Sequence, residues 1–332
     1  MFLLYHMLGF LAGFVLDLVV GDPRWFPHPV KFMGKMIASL EKRWNSPEKT
    51  AAQQVRSGTY MVVVVLLVTI VITAAVIVIA YLINVWVGVV VEALLTAMVL
   101  STKDLRKESM KVYDCLESGD LEASRTAVSW IVGRDVNVLD EAGVAKAAVE
   151  TVAENTADGV IGPMLYTAIG GPILGMTFKA INTMDSMVGY HSERYINFGR
   201  RAAKFDDAAG FLPSRLSAVL MIAATWILSV FKRNDVFDAS RAYRIFRRDR
   251  FQHMSPNSAQ TESVCAGALG IQLAGPISFF GKMNEKPFIG DDSRPVENED
   301  IRRANQLLYV TAFLCEIACL LVMGMIALIV VL

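Results

Sequence analysis

Residues 60–100 read YMVVVVLLVTIVITAAVIVIAYLINVWVGVVVEALLTAMVL, and this run decides the fold. A helix crosses the hydrocarbon core of a bilayer with about 20 predominantly apolar residues. Two lengths close to that lie over 60–83 and 86–100, with Asn84 and Gly88 placed to allow a tight hairpin between them. Glu92 stands inside the second, where a lipid-facing carboxylate is costly, so it is expected to face the bundle. Outward from this pair, residues 2–20 and 307–332 are apolar enough to span, and 160–178 and 212–231 are weaker candidates. The chain of 332 residues is 54% hydrophobic with mean hydropathy +0.43, and its 19% charged content is below the roughly 25% of soluble domains. The expected fold is all-α, a polytopic membrane helical bundle of about four to six spans. It is drawn as one integral membrane domain over 1–332, with 102–158 and 232–305 as mostly helical polar loops carrying site residues.

The N-terminus is apolar at once, without a basic lead-in or a small-x-small cleavage site, and reads as a retained first helix. Loop 21–58 carries Arg24, Lys31, Lys35, Lys42, Arg43, Lys49 and Arg56 against Asp22, Glu41 and Glu48. The positive-inside rule places it in the cytoplasm and points the N-terminus outward. Residues 102–158 then also fall inside, as does 232–250 with Lys232, Arg233, Arg241, Arg244, Arg247, Arg248 and Arg250 against Asp235, Asp238 and Asp249. If 160–178 and 212–231 both cross, the loop between them is left outside. If both dip in or pack against the bundle, every motif loop shares the cytoplasmic side. Gly162, Pro163, Gly170, Gly171, Pro172 and Gly175 favour a broken or re-entrant segment, which is tolerated at membrane depth where protein or a polar cavity covers it. The expected location is therefore the cell membrane, multi-pass, with the active site facing the cytoplasm. Lys+Arg and Asp+Glu balance at 32 each, so charge gives no case for nucleic acid. Cys115, Cys265, Cys315 and Cys319 form no CxxC or zinc spacing and read as packing residues.

Polar chemistry gathers around the glycine-rich run, between positions 150 and 190. Glu150, Glu154 and Asp158 are spaced i, i+4, i+8, which a helix stacks on one face. Three such carboxylates repel unless a cation compensates, and hard oxygen donors suit Mg²⁺ bridging to substrate phosphates. Asn155 and Thr156 add neutral oxygens. The competing reading is a solvated acidic face, which the apolar neighbours Val149, Val152, Ala153, Val160 and Ile161 disfavour. Downstream stand Lys179, Asn182, Thr183, Asp185 and Ser186, then Tyr190 and His191. Lys179 can serve a phosphate as a point charge, whereas Asn182 and Thr183 could equally be helix caps. After the first helix, Asp17, Asp22-Pro23 and His28-Pro29 read either as a rigid membrane-exit turn or as ligands: Asp22 for a metal or substrate, His28 and Lys31 for a phosphate. Arg134-Asp135, Asp206-Asp207 and Arg215 could be surface ion pairs. Ser255-Pro256-Asn257 is a turn signature, followed by Glu262 and a small-residue run suited to a tightly packed helix; Asn257 and Glu262 are its site candidates. There is no Walker loop, G-x-G-x-x-G or H-E-x-x-H. The residues alone support a membrane enzyme or transporter acting on a phosphorylated ligand, with Mg²⁺ plausible.

The ordered set LDLVVGDPRWFPHPVKFMGKMI, GDLEASR…IVGRD, AAVETVAENTADGVIGPMLY, KAINTMDSMVGY, RYINFGRRAAKFDD, PSRL and SPNSAQTESVCAGALGIQL resembles the adenosylcobinamide-phosphate synthase family, membrane-bound enzymes of cobalamin biosynthesis. The resemblance covers essentially the whole chain. One departure is local: Ser258-Ala259-Gln260 follow Asn257 where a glycine-containing turn is expected. The resemblance implies amide-bond formation between a corrinoid, adenosylcobyric acid, and (R)-1-aminopropan-2-yl phosphate or aminopropanol, with ATP as co-substrate and Mg²⁺. It also places the protein in a lipid bilayer, with a homo-oligomer or association with other membrane enzymes of the pathway as candidate assemblies. In that scheme Asp22, Glu150, Glu154 and Asp158 hold Mg²⁺. His28, Lys31, Arg134, Asn155, Asn182, Ser186 and Asn257 contact substrate or phosphate. Asp185, Glu154 and Lys179 are catalytic, Asp185 taking a proton from the attacking ammonium. Two other classes compete. A corrinoid or organic-anion transporter would use the broken Gly/Pro run, although matching halves are missing. A Mg²⁺-dependent phospho-alcohol transferase would use Asp158-Gly159, although its Ala-Arg and later paired Asp residues are missing.

Overall fold

The computed structural model describes residues 2–331 apart from 24, 26, 191, 233–235 and 280. Arg24, His191, Arg233 and Asp235, used in the readings above, lie outside the described residues. The helices are α1 (Phe2–Val19), α2 (Pro29–Trp44), α3 (Ala51–Ile83), α4 (Val85–Val99), α5 (Thr102–Glu117), α6 (Leu121–Ser129), α7 (Glu141–Asn155), α8 (Gly162–Val188), α9 (Arg200–Lys232), α10 (Ala239–Asp249), α11 (Ser258–Leu269) and α12 (Glu299–Val331). A π-helical turn, Thr156–Ile161, joins α7 to α8. Among the described residues five helical stretches are long and apolar enough to cross a membrane: Ala51–Ile83, Val85–Glu117, Glu141–Val188, Arg200–Lys232 and Glu299–Ile329. α1 is a shorter apolar helix. The chain is a multi-pass membrane protein, and α3 shows why: Val63, Leu67, Val71, Val78 and Leu82 all lie exposed on its surface, where lipid rather than water suits them. Both weaker candidate spans, 160–178 and 212–231, fall within these stretches.

By its contacts the chain groups into two compact units. The first comprises Met1–Ser101, Gly162–Gly210 and Glu316–Leu332. Here the hairpin expected at Asn84 is a single extended residue, which caps α4 by accepting from the Trp86 N–H at 2.8 Å. α1 lies very close to α4, and Gly13 permits it: a Cβ there would sit 2.4 Å from Thr96 Cβ and 2.8 Å from the Ala93 carbonyl oxygen. Glu92 faces the bundle as expected, only 3% exposed. Its carboxylate pairs with His6 and accepts from the Tyr81 hydroxyl at 2.5 Å, while His6 Nε2 donates to the Ala168 carbonyl at 3.2 Å. α8 is broken as expected: Gly170 and Gly171 leave helical geometry just before Pro172, with Gly171 at φ 63°, ψ −165°.

The second unit comprises Thr102–Ile161 and Phe211–Cys315. α5, α6 and α7 pack together, and α7 packs on α11, which packs on α10. α7 starts at Asp140, whose carboxylate accepts from the Gly143 N–H at 2.8 Å. It is buried on most of its faces through Val144, Ala145, Ala147, Ala148, Val149, Val152 and Ala153, as expected of a helix apolar all round. α11 is buried throughout, as its small residues require, and ends at Gly270 in the left-handed region. It begins directly after Asn257, so helix stands where the glycine-containing turn was expected. The remainder departs from all-α expectation in detail. β1 (Leu273–Ala274) pairs antiparallel with β4 (Phe288–Ile289), and β2 (Ile277–Phe279) with β3 (Lys282–Asn284).

Candidate functional site

In the second unit, α7 delivers Glu150 into a buried bracket. One carboxylate oxygen pairs with the Arg134 guanidinium and the other accepts from the Ala274 N–H at 2.7 Å. Ala274 is a non-glycine residue at φ 56°, a conformation few side chains adopt. The charge-assisted bond from Glu150 helps to hold it there. Beside Arg134, Asp135 pins the β2–β3 hairpin: its Oδ2 accepts from Ser278 Oγ at 2.6 Å and from the Gly281 N–H at 2.8 Å. The Arg134-Asp135 pair, open to a surface reading, therefore anchors this segment, Asp135 directly at Ser278 and Gly281 and Arg134 through Glu150 at Ala274.

Of the residues expected to hold Mg²⁺, Glu150 already has both of its oxygens engaged, one of them by a cation. The i, i+8 spacing to Asp158 is also altered, since α7 gives way to the π-helical turn at Thr156 and wider i→i+5 bonding rotates later residues out of the α-helical stack. Among the described residues no group of three or more His, Cys, Asp or Glu side chains is arranged to hold a metal ion. The three-carboxylate set thus does not fit a resident Mg²⁺.

Glu262, on α11, faces the same cluster. Its Oε2 lies 3.4 Å from His253 Nε2, with the side chains only 3% and 9% exposed. Burial pushes the Glu262 carboxyl well above the usual range, and the carboxylates of Glu154 and Glu150 push it further, against Lys286 and Arg134. Burial likewise holds His253 down at about 4, aided by Lys286 and Arg134 and opposed by Glu150. Burial thus works against the charged form of both groups. The cluster of Glu150, Glu154, Glu262, Arg134, Lys286 and His253 combines acceptors with cations, and can meet a ligand bearing both an amine and an anion. Sequence reasoning passed over His253, Lys286 and the Ala274 backbone. His253 had a signal in its rarity, as one of only 4 histidines in the chain.

The other expected site residues are dispersed. Also in the second unit, Asn155 Nδ2 donates to the Thr151 carbonyl of its own helix at 3.0 Å. Asn257 is buried and accepts from Arg215 at 2.7 Å and from Ser214 Oγ at 3.2 Å, a structural clasp with Arg215 stacked on Phe211. In the first unit, His28 caps α2, its Nδ1 accepting from the Val30 N–H at 3.2 Å while Nε2 lies 3.2 Å from Asp22. The exit-turn reading describes both, and Lys31 follows, exposed, in the first turn of α2. Lys179 Nζ donates to Ser101 Oγ at 2.9 Å, and Asn182 Nδ2 to Asp206 at 3.4 Å. Thr183 and Ser186 return their hydroxyls to the carbonyls of Lys179 and Asn182, so neither is a cap. Asp185 lies near the end of α8, where burial and then its charge raise the Tyr190 phenol.

A family model described as "CobD/Cbib protein" matches residues 10–308. The chain is 38% identical to the cobalamin biosynthesis protein CobD of Clostridium perfringens, over 95% of its own length and 98% of that protein's. It is 43% identical to the protein of the same name from Streptococcus sanguinis, over 92% and 93% of the two chains. With that of Klebsiella pneumoniae it shares 41% over 93% and 94%. No solved structure matches.

Proposed function

Since the chain belongs to the CobD/CbiB family, we propose that it acts in cobalamin biosynthesis as a ligase, joining adenosylcobyric acid to (R)-1-aminopropan-2-yl phosphate or aminopropanol through an amide bond. A carboxylate does not accept an amine until its oxygen becomes a good leaving group. ATP, as co-substrate, supplies this by converting the corrinoid propionate to an acyl phosphate. Mg²⁺, if bound, would neutralise charge on the nucleotide phosphates with help from few protein carboxylates, Glu154 and Asp158 being the candidates on this stretch. The observation that carries the reading is the mixed-charge cluster of the second unit, with Glu150 and Glu262 buried and Arg134, Glu154, His253 and Lys286 half-buried around them. Arg134 and Lys286 are the cations for an anionic group, and Glu154 and Glu262 the acceptors for an amine. Lys179 and Asn182 of the first unit stay proposed as contacts to an anion. The site is assigned to the cytoplasmic face of the cell membrane, where ATP is supplied.

Detergent-purified protein has no compartments, so a transporter would leave its substrates unchanged. Incubated with adenosylcobyric acid, the amino alcohol or its phosphate, and MgATP, the ligase yields a corrinoid amide. Substituting Glu154→Ala should reduce turnover by at least about 10²-fold while leaving a folded, membrane-inserted protein. Full activity in that variant would remove Glu154 from the site.

A further inference from the structure

Glu262 Oε2 and His253 Nε2 are buried, face one another at 3.4 Å, and make no hydrogen bond among the described residues. A buried polar atom left unmet costs about 1–3 kcal/mol, so this pair points to a polar group of a ligand. The surroundings select its class. Two further carboxylates, Glu154 and Glu150, act on Glu262, and Glu150 is already taken by Arg134 and Ala274. Glu262 as a carboxylate, with Nε2 of an imidazole protonated on Nδ1, presents acceptors, which an ammonium matches with three donors and no acceptor. A divalent ion would call for further protein ligands, and among the described residues no group of three is placed to supply them. Lys286 and Arg134, which act on both Glu262 and His253, suit the anionic remainder of the same reaction.

We propose that Glu262 is the general base of amide formation, binding the ammonium of the amino-alcohol substrate and taking its proton, with His253 as the positioning residue that directs the nitrogen. This assignment rests on the ligase reading and replaces Asp185 as proton acceptor. The N–H bond breaks toward Glu262 Oε2, and the lone pair released on nitrogen attacks the carbonyl carbon of the acyl phosphate made with ATP. A C–N bond forms, the C–O bond to phosphate breaks with its electron pair, and the surplus proton on nitrogen leaves with hydrogen phosphate. The elevated affinity of Glu262 for a proton suits a base that must deprotonate an amine near neutral pH. An arriving ammonium, by its charge, favours the ionised carboxylate that accepts the proton.

The test compares two nucleophiles in Glu262→Gln, which keeps the size and neutrality of the protonated side chain. With aminopropanol phosphate, protonated at neutral pH, kcat should fall by about 10²-fold or more. With hydroxylamine, already unprotonated, the loss should shrink to less than about 5-fold, because no general base is then required. His253→Gln should raise the KM for the amine more than it lowers kcat. Near-wild-type kcat of Glu262→Gln with aminopropanol phosphate overturns the assignment, and so do equal losses with both nucleophiles. Absence of any amide product from the wild-type protein overturns the ligase reading, and the assignment with it.

Discussion

His253 and Glu262 carry opposite pH signatures. Between about pH 4.5 and 6.5 the unfolded histidine binds a proton that the folded one, held down at about 4, refuses. Stability from that group therefore rises with pH. In the same window the unfolded Glu262 loses a proton that the fold retains, so its contribution falls with pH. The two oppose one another in the wild type. Melting measured from pH 4.5 to 6.5 should show Glu262→Gln gaining stability with pH and His253→Gln losing it; parallel pH profiles in both variants would contradict the buried pair. Glu150 gives a second prediction. As a bracket rather than a metal ligand, Glu150→Ala should lower stability by about 3 kcal/mol, the low end for stripping one partner from a buried ion pair, and equally with and without Mg²⁺. A Mg²⁺-dependent loss would restore the metal role. Sequence spacing made Glu150 and Glu154 visible as candidates, and the turn before the small-residue run did so for Glu262. It could not show that Arg134 and Ala274 consume Glu150, because those partners lie 16 and 124 residues away.

At the scale of elements, α8 shows what local composition does and does not disclose. Gly170-Gly171-Pro172 announced a broken helix, and φ 63°, ψ −165° at Gly171 is a region almost confined to glycine. Gly171→Ala should cost about 1–3 kcal/mol, read as a lowered melting temperature in detergent or bicelles, and an unchanged value would mean that the break does not depend on this residue. The partners around the break were not legible. Glu92 was expected to avoid lipid, but nothing in the sequence assigned it Tyr81 of the preceding helix α3 and His6 of α1, 86 residues away. Asn182 and Thr183 were open to a capping role because short polar side chains favour helix ends. They lie inside α8 instead, where the Thr183 hydroxyl is satisfied by the carbonyl of Lys179 four residues back. The π-helical turn after Asn155 has no sequence signal in a periodic α-helical reading, yet it decides which way Asp158 faces.

For the whole molecule, hydropathy exposed the spans because lipid rewards continuous apolar surface, whereas the division into two units depends on contacts between segments far apart in sequence. The orientation of the chain in the membrane can be read at the exposed turn between α5 and α6. In a Cys115→Ser background, Ser118→Cys should react with a membrane-impermeant thiol reagent only from the cytoplasmic side; labelling from outside would invert the orientation drawn from the basic loops. Catalysis itself is reached most directly with adenosylcobyric acid carrying ¹⁸O in the reacting carboxylate, incubated with detergent-purified protein, the amino-alcohol phosphate and MgATP. The account predicts a corrinoid amide formed together with inorganic phosphate bearing one ¹⁸O atom, handed over through the acyl phosphate. Failure to form the amide, or an amide formed with unlabelled phosphate, would contradict it.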